Sequence, residues 1–317
     1  MKQKIPIFMV FLLLSLITTM RAQTPVVTLS TNGELKSFAA NEVADAIYEA
    51  NPNDTIWLSP GYFEMSTVGG VDGLKKPLVL IGSGATGDSE TWFRFWDPEI
   101  DLDANSSVVF EGMIISSDYS VQVRGNGNIT FRNCKLSGLV EGSDSDITPS
   151  VWLDCCEITG SLNLNTKGAL NVNNSKIKNV YGTTYTYLVN CYIYGTCDLH
   201  NGTVSNSLLF EREDYNNYTT YQDCVIFGFN GPTSAIWGQY INCSPSLNEN
   251  GEAIQATPEN AELYNWLGSD GTLVGPYGGT TPFSLLPSYP TPDPSNSTLE
   301  YDKNTHKLKV KVSILDD

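Results

Sequence analysis

Between Phe110 and Pro245 the chain repeats one short hydrophobic and polar pattern: apolar, any residue, Asn-like, Cys or Ser, any residue, Ile or Leu. It reads FEGMII from Phe110, FRNCKL from Phe131, LDCCEI from Leu153 and VNNSKI from Val172. It continues as LVNCYI from Leu188, VSNSLL from Val204, YQDCVI from Tyr221 and YINCSP from Tyr240. The starts lie 21, 22, 19, 16, 16, 17 and 19 residues apart, and the six inner copies fit better than the two outer ones. A second apolar-x-apolar triplet accompanies several copies, as in Ile100–Leu102, Val121–Val123, Leu162–Leu164 and Cys197–Leu199. Each triplet leads into a polar turn: ANSS, RGNGN, NTKG or HNG. Each unit therefore predicts two or three brief strands with period-two alternation, separated by turn residues.

The shortest unit has 16 residues, a contour of only about 50 Å at ~3.3 Å per residue. That leaves no room for a crossover helix. The chain is expected to coil as a three-sided tube in which each coil pairs in parallel with the next, about 4.8 Å away. Phe131, Leu153, Val172, Leu188 and Val204 then form one interior file. Leu136, Ile158, Ile177, Ile193 and Leu209 form another. Asn133, Asn174, Asn190, Asn206, Asp223 and Asn242 fall at a corner, where Asn tolerates turn dihedrals and can hydrogen-bond from coil to coil. Cys134, Cys156, Cys191, Cys224 and Cys243 share the next slot with Ser175 and Ser207, as small residues facing inward. Cys155 takes the corner position usually held by Asn.

The ends depart from the repeat. Asn41–Ala50 reads as a short helix capped by Asn41, with Val43, Ile47 and Ala50 as its apolar stripe. It is the candidate plug for one open end of the tube. Thr55–Leu58 reads as a strand, Pro60-Gly61 as a turn and Leu78–Gly82 as the next coil. Past Cys243 the repeat dissolves. Pro287–Ser295 is a Pro-rich linker, and Ser297–Tyr301 with Lys307–Ile314 reads as a strand pair joined through Asp302–Thr305. That pair is either an edge cap or a secretion or attachment signal. The expected organisation is 1–22 leader, 23–286 β-helix with its cap, and 287–317 linker and hairpin.

The leader MKQKIPIFMVFLLLSLITTMRAQ has a basic start and a short apolar run, the pattern of a secretory signal peptide. The run is short for a membrane span, and no Cys sits where a lipid anchor would attach. The expectation is a secreted or surface-exposed monomer without a membrane span. The whole chain carries 18 basic and 35 acidic residues, a net charge of -17; without Lys2, Lys4 and Arg21 the balance is 15 against 35, or -20. Nucleic acid is a poor partner for such a surface. An anionic polysaccharide would need a bridging cation, whereas a neutral glycan would not. Seven Cys is an odd number for a disulfide framework, and a chain this long buries a core without one.

The runs AIYEANPNDTIWLSPGYFE and PLVLIGSG, followed by the Asn-Cys coils, resemble the right-handed parallel β-helix, or pectin-lyase-like, superfamily. The tail NWLGSDGTLVGPYGGTTPFSLLPSYP is similar to the closing segment of secreted bacterial β-helix repeat proteins. The resemblance implies an all-β, right-handed parallel β-helix with a short N-terminal capping helix and a C-terminal strand pair. Such folds include polysaccharide lyases, glycoside hydrolases, adhesins and glycan binders, so fold does not select an activity. Val151-Trp152-Leu153-Asp154 also resembles a pectate-lyase segment in which His follows, but here Cys155 stands in that place.

With the interior filled, chemistry must lie on outward positions and loops. Arg132, Asp154 and Glu157 are the candidate catalytic residues of a lyase, which needs a base and a cation or Arg to stabilise an enolate-like intermediate. The alternating charges Glu111, Arg132, Asp154 and Lys135, Glu157, Lys176 read first as ladders of surface ion pairs. Arg132 between two acids is a poor base. The paired-Asp and His-Gly segments of β-helix polygalacturonases are absent, and His200 and His306 are isolated.

Asp97, Glu99, Asp101 and Asp103 alternate and could offer oxygen ligands to calcium on one face; 141–146 is a second acidic candidate, and both read first as solvated loops. No other cofactor is expected. Cys155-Cys156 lacks the partners of a zinc site. Trp152 and Tyr187 are expected outward on one face, Tyr192 on the adjacent face and Tyr185 nearby, with Tyr215 and Tyr218 in a loop. These suit stacking of sugar rings, or they pack against loops. The favoured reading is a β-helix that binds or presents a surface to glycans. A polysaccharide lyase or hydrolase, and a structural or adhesive surface protein, are the alternatives.

Overall fold

The structure, a computed structural model, describes residues 24–65, 74–87, 89–95, 99–104, 106–117, 121–141, 149–164, 168–182, 185–212, 218–228, 239–286, 292–302 and 307–314. The leader, Asp97, Tyr215, His306 and residues 142–148 and 303–306 lie outside these residues. The chain divides into two units, 1–286 and 287–317.

The first unit is a parallel β-solenoid. Its interior files are set by period-two alternation, because in each coil the buried residues flank outward ones. Register pairs Phe110 with Phe131, Phe131 with Leu153, Leu153 with Val172, Val172 with Leu188 and Leu188 with Val204. The file extends beyond the expected residues, through Leu80, Ile56 and Leu29 at one end and Tyr221 and Tyr240 at the other. The second expected file, Leu136 to Leu209, is likewise paired coil on coil. Both belong to one continuous core and are fully buried except at Tyr240, which is partly buried at the end of the first file.

The described strands form a 12-stranded and a 13-stranded sheet in this unit. The second and third faces of the tube merge into the larger one. Glu157–Leu164, Lys176–Gly182 and Tyr192–Leu199 each run as one strand across the bend, where the pairing register shifts.

The corner between the sheets is turned by residues in the left-handed region: Asn133, Asn174, Asn190, Asn206, Asp223 and Asn242, with φ between 46° and 53°. Cys155, at φ 54°, does the same. The coil-to-coil bonds here are made by main chain, as when Asn133 N–H donates to the Asp154 carbonyl and Asn174 N–H to that of Val189. The Asn133 and Asn174 side-chain amides are used elsewhere, as described below. Asn tolerates this conformation best after Gly, and a β-branched residue tolerates it worst. Cys155→Asn is therefore expected to leave stability within ~0.5 kcal/mol, whereas Cys155→Val loses about 1–3 kcal/mol. Urea unfolding of the two variants checks this.

The N-terminal cap is larger than the sequence reading expects. Val26–Thr31 and Glu34–Ala39 form an antiparallel hairpin, and the first of them continues the smaller sheet by pairing with Asp54–Leu58. Helix α1 (Val43–Glu49) packs near this end, burying Val43, Ala46 and Ile47 into the core. Asn41 does not cap it. The capping position belongs to Glu42, whose carboxylate instead accepts from the Ala39 N–H, 2.8 Å away.

After the last coil strand, Ser244–Pro245, the chain doubles back outside the tube. Helix α2 (Pro258–Leu263) begins at Thr257, whose hydroxyl accepts from the Asn260 N–H. It helps build a second, external core from Leu208, Val225, Ala256, Ala261 and Val274. The chain then runs as a strap along the corner, coil by coil toward the N-terminal end. Gly275 N–H donates to the Asn206 carbonyl. The Asn174 amide donates to the Pro276 and Gly278 carbonyls, at 3.2 and 2.6 Å. The Cys155 thiol reaches the Thr281 and Pro282 carbonyls, and the Asn133 amide donates to Ser284 at 2.8 Å. Ala85 N–H donates to Leu285. The close approach requires Gly279, at φ 72°, because any side chain there would strike the Asn190 amide.

The second unit is a two-stranded antiparallel sheet, Pro292–Asp302 with Lys307–Ile314. Its first strand starts inside the expected Pro-rich linker, and the pairing is irregular between Asp293 and Thr298, where the prolines end.

Candidate functional site

The outward side of the smaller sheet carries two lanes of side chains. In the first, register stacks Thr130, Trp152, Asn171, Tyr187, Thr203 and Thr220 on successive coils. In the second, it stacks Arg132, Asp154, Asn173, Val189, Ser205 and Gln222. Trp152 is 43% exposed and Tyr187 46%, so neither ring is covered. One coil, that of Asn171, separates them, giving a spacing of about 9.6 Å along the tube axis. Tyr185 is exposed in the turn that leads into the strand bearing Tyr187.

Past the Arg132 and Asp154 coils the same face is free of charge. From the Asn171 coil to the Gln222 coil its two lanes hold only Asn, Tyr, Val, Thr, Ser and Gln. In a chain with a net charge of -17 this is a local exception, and it removes the repulsion or cation requirement that an acidic face imposes.

Tyr192 falls elsewhere. It lies past the corner on the larger sheet, half-buried against the external core, with its ring 5.6 Å from that of Tyr194. Burial raises both phenols above their ordinary range. The covering segment comes from more than sixty residues downstream, so local alternation cannot reveal it. Tyr218 is exposed beside the strand that starts at Thr220.

The three candidate catalytic residues do not converge. Arg132 Nε lies 4.0 Å from Asp154 Oδ2, while Asp154 Oδ1 accepts from the Asn173 amide at 2.8 Å. Glu157 lies beyond the corner on the larger sheet, paired with Lys135 at 3.2 Å. The strap docks on Cys155 between the two sets. Both ion pairs are partly exposed and fit the surface-ladder reading, worth ~0–1 kcal/mol each. Lys176, the next rung after Glu157, turns to the strap instead. It donates to the Tyr277 hydroxyl at 2.9 Å and lies over the Tyr277 and Phe283 rings.

Of the acidic run, Asp97 lies outside the described residues. Glu99 and Asp101 lie on one strand, Glu99–Leu102, and register sets Gln122 beside the first and the basic Arg124 beside the second. Asp103 is exposed past the strand's end. Among the described residues no group of three His, Cys, Asp or Glu could hold a metal ion. Cys134, Cys156, Cys191, Cys197 and Cys224 are core residues. Burial pushes the Cys134, Cys191 and Cys197 thiols up to about 12 and raises Cys156 well above its usual value.

Sequence reasoning missed an outward aromatic pair on the larger sheet, Tyr62 and Trp92, set side by side by register. Their strands, GYFEM and TWFRF, alternate and so could have placed them. Tyr62 donates to Glu64 and accepts from Arg94, and Trp92 donates to Glu90. No helix among the described residues is long and apolar enough to cross a membrane. Comparison of the chain with protein-family models, curated proteins and solved structures yields no match.

Proposed function

We propose that this chain binds an uncharged extracellular polysaccharide, laid lengthwise along the outward face of the smaller sheet. The observation that carries the reading is the pair Trp152 and Tyr187, both half-exposed, on one lane with a single coil between them. Flat rings repeated along a line suit successive pyranose rings, whose apolar faces stack on aromatic side chains. The intervening and flanking Asn171, Thr130 and Thr203 offer amide and hydroxyl groups to sugar hydroxyls. The lack of charge on this face from the Asn171 coil to the Gln222 coil favours a neutral chain over a uronate polymer, while the Thr130 and Trp152 coils also carry Arg132 and Asp154.

The proposal includes a location outside the cell, which the leader pattern supports, and kinship with pectin-lyase-like proteins, which the sequence stretches noted above support. A lyase centred on Arg132, Asp154 and Glu157 has less support, because Glu157 faces another side and Arg132 and Asp154 already engage each other. A glycan array including neutral and acidic polysaccharides, with an assay for new unsaturated ends, separates the readings. Array binding to a neutral glycan, lost in the double variant Trp152→Ala/Tyr187→Ala, supports binding. Unsaturated products lost in Arg132→Ala would replace it with the lyase. Silence in both assays would favour a structural or adhesive surface protein.

A further inference from the structure

The Cys/Ser file that runs behind the corner ends with two cysteines, Cys224 and Cys243. The flanking register sets Gln222 beside Ile241 and Val225 beside Ser244. Cys224 and Cys243 therefore lie directly one above the other. The strand spacing puts their Cα atoms about 4.8 Å apart, inside the ~4.4–6.8 Å that a disulfide spans. Just upstream, the Tyr221 and Tyr240 rings stack at 5.1 Å and 4° from parallel, which holds the two coils in this alignment. The thiols donate to nearby main-chain carbonyls, Cys224 to those of Val204 and Gln222 and Cys243 to those of Tyr221 and Ile241.

Access distinguishes this pair from another in the same file. Cys134 and Cys156 are stacked in the same way on adjacent coils, but both are fully buried in the middle of the tube. Cys224 is buried as well, whereas Cys243 is half-buried, on the last coil. The remaining free cysteines, Cys155, Cys191 and Cys197, are buried.

We propose that Cys224 and Cys243 form an oxidisable dithiol, a covalent modification site at which a disulfide staples the last coil to the one before it. The oxidant is a low-molecular-weight disulfide. Cys243 attacks as thiolate, breaks the sulfur–sulfur bond of the reagent and expels one small thiolate, leaving a mixed disulfide. Cys224 then attacks the Cys243 sulfur and expels the second. Two protein thiols are oxidised, one external disulfide is reduced, and the two protons leave on the two small thiols.

The order of attack follows from the environments. The adjacent Cys224 thiol draws the Cys243 thiol down to about 7, so Cys243 is the more readily deprotonated of the two. Burial raises Cys224 well above its usual value, so it acts second, on a sulfur already beside it. The linkage closes the edge of the smaller sheet, where Gln239–Ile241 has no further coil to pair with among the described strands and an open strand edge is a weak point.

The test uses the full chain, reduced, then exposed to oxidised glutathione at mildly alkaline pH. The chain has seven Cys, so thiols titrated after denaturation are expected to fall from seven to five. Proteolytic mapping is expected to recover a Cys224–Cys243 linked peptide. Cys243→Ser, which places at this slot the residue found at Ser175 and Ser207, is expected to keep all six of its thiols. Cys134→Ser is expected still to lose two. Unchanged far-UV circular dichroism in both variants shows that the tube is intact. A count that stays at seven, a glutathione adduct that persists on Cys243, or a link between any other pair would overturn the proposal.

Discussion

Phe131→Ala is expected to destabilise the tube by about 3–5 kcal/mol, the cost of deleting a fully buried aromatic ring and leaving a cavity. Phe131 is wholly inaccessible and sits in the longest interior file, between Phe110 and Leu153. Its ring stacks on that of Phe110, 5.5 Å away and 14° from parallel. Phe110 in turn meets the Phe93 and Phe95 rings, at 6.0 and 6.1 Å. The loss therefore removes both burial and an aromatic contact. Because neighbouring coils share this file, the double variant Phe110→Ala/Phe131→Ala should cost less than the sum of the two. Urea unfolding followed by circular dichroism measures it. A loss below ~1 kcal/mol is what an outward or loop position gives, and it would mean that Phe131 does not lie in the file.

The second large effect is on binding. Each outward ring is expected to be worth about 1.4 kcal/mol, so that Trp152→Ala and Tyr187→Ala each weaken a neutral glycan about ten-fold. The rings are about 9.6 Å apart, far enough for their losses to add, so the double variant is expected to lose roughly a hundred-fold. Both side chains project from strands whose inward neighbours are untouched, Val151 and Leu153 beside one and Thr186 and Leu188 beside the other. Stability should stay within ~0.5 kcal/mol. The Tyr192→Ala variant provides the contrast: it loosens the external core around Leu208 and Val225 and is expected to leave glycan affinity unchanged. Calorimetry on the three variants, each beside its own thermal unfolding curve, separates the effects.

The interior files were legible in the sequence because a parallel coil repeats its inward positions at a recognisable spot in every unit. Phe131, Leu153 and Val172 announce themselves through the Asn and Cys that follow each of them. The corner was legible for a related reason, since Asn is the residue that accepts a positive φ with least strain after Gly. The N-terminal hairpin has its signal in Asn32-Gly33, both at positive φ, between its two strands. Helix α2 is too short to show a period, although Thr257-Pro258 is a helix start.

The strap was hidden for a deeper reason. It is held through its main-chain carbonyls, which accept from Asn133, Asn174 and Cys155 side chains, and carbonyls leave no trace in sequence. The same gap explains the site. Trp152 and Tyr187 follow from alternation and register alone, both local properties. The fate of Tyr192 and Lys176 depends on a segment that returns from far downstream. The separation of Glu157 from Asp154 follows from the corner at Cys155, which bends the chain between two residues only three apart.

The most direct measurement is calorimetric titration of the protein with a length series of oligosaccharides from the neutral glycan that the array selects. If two rings one coil apart hold one sugar chain lengthwise, affinity should rise in a step once the oligomer spans both Trp152 and Tyr187, and should change little with salt. An affinity that ignores oligomer length, or that survives loss of both rings, would contradict the account.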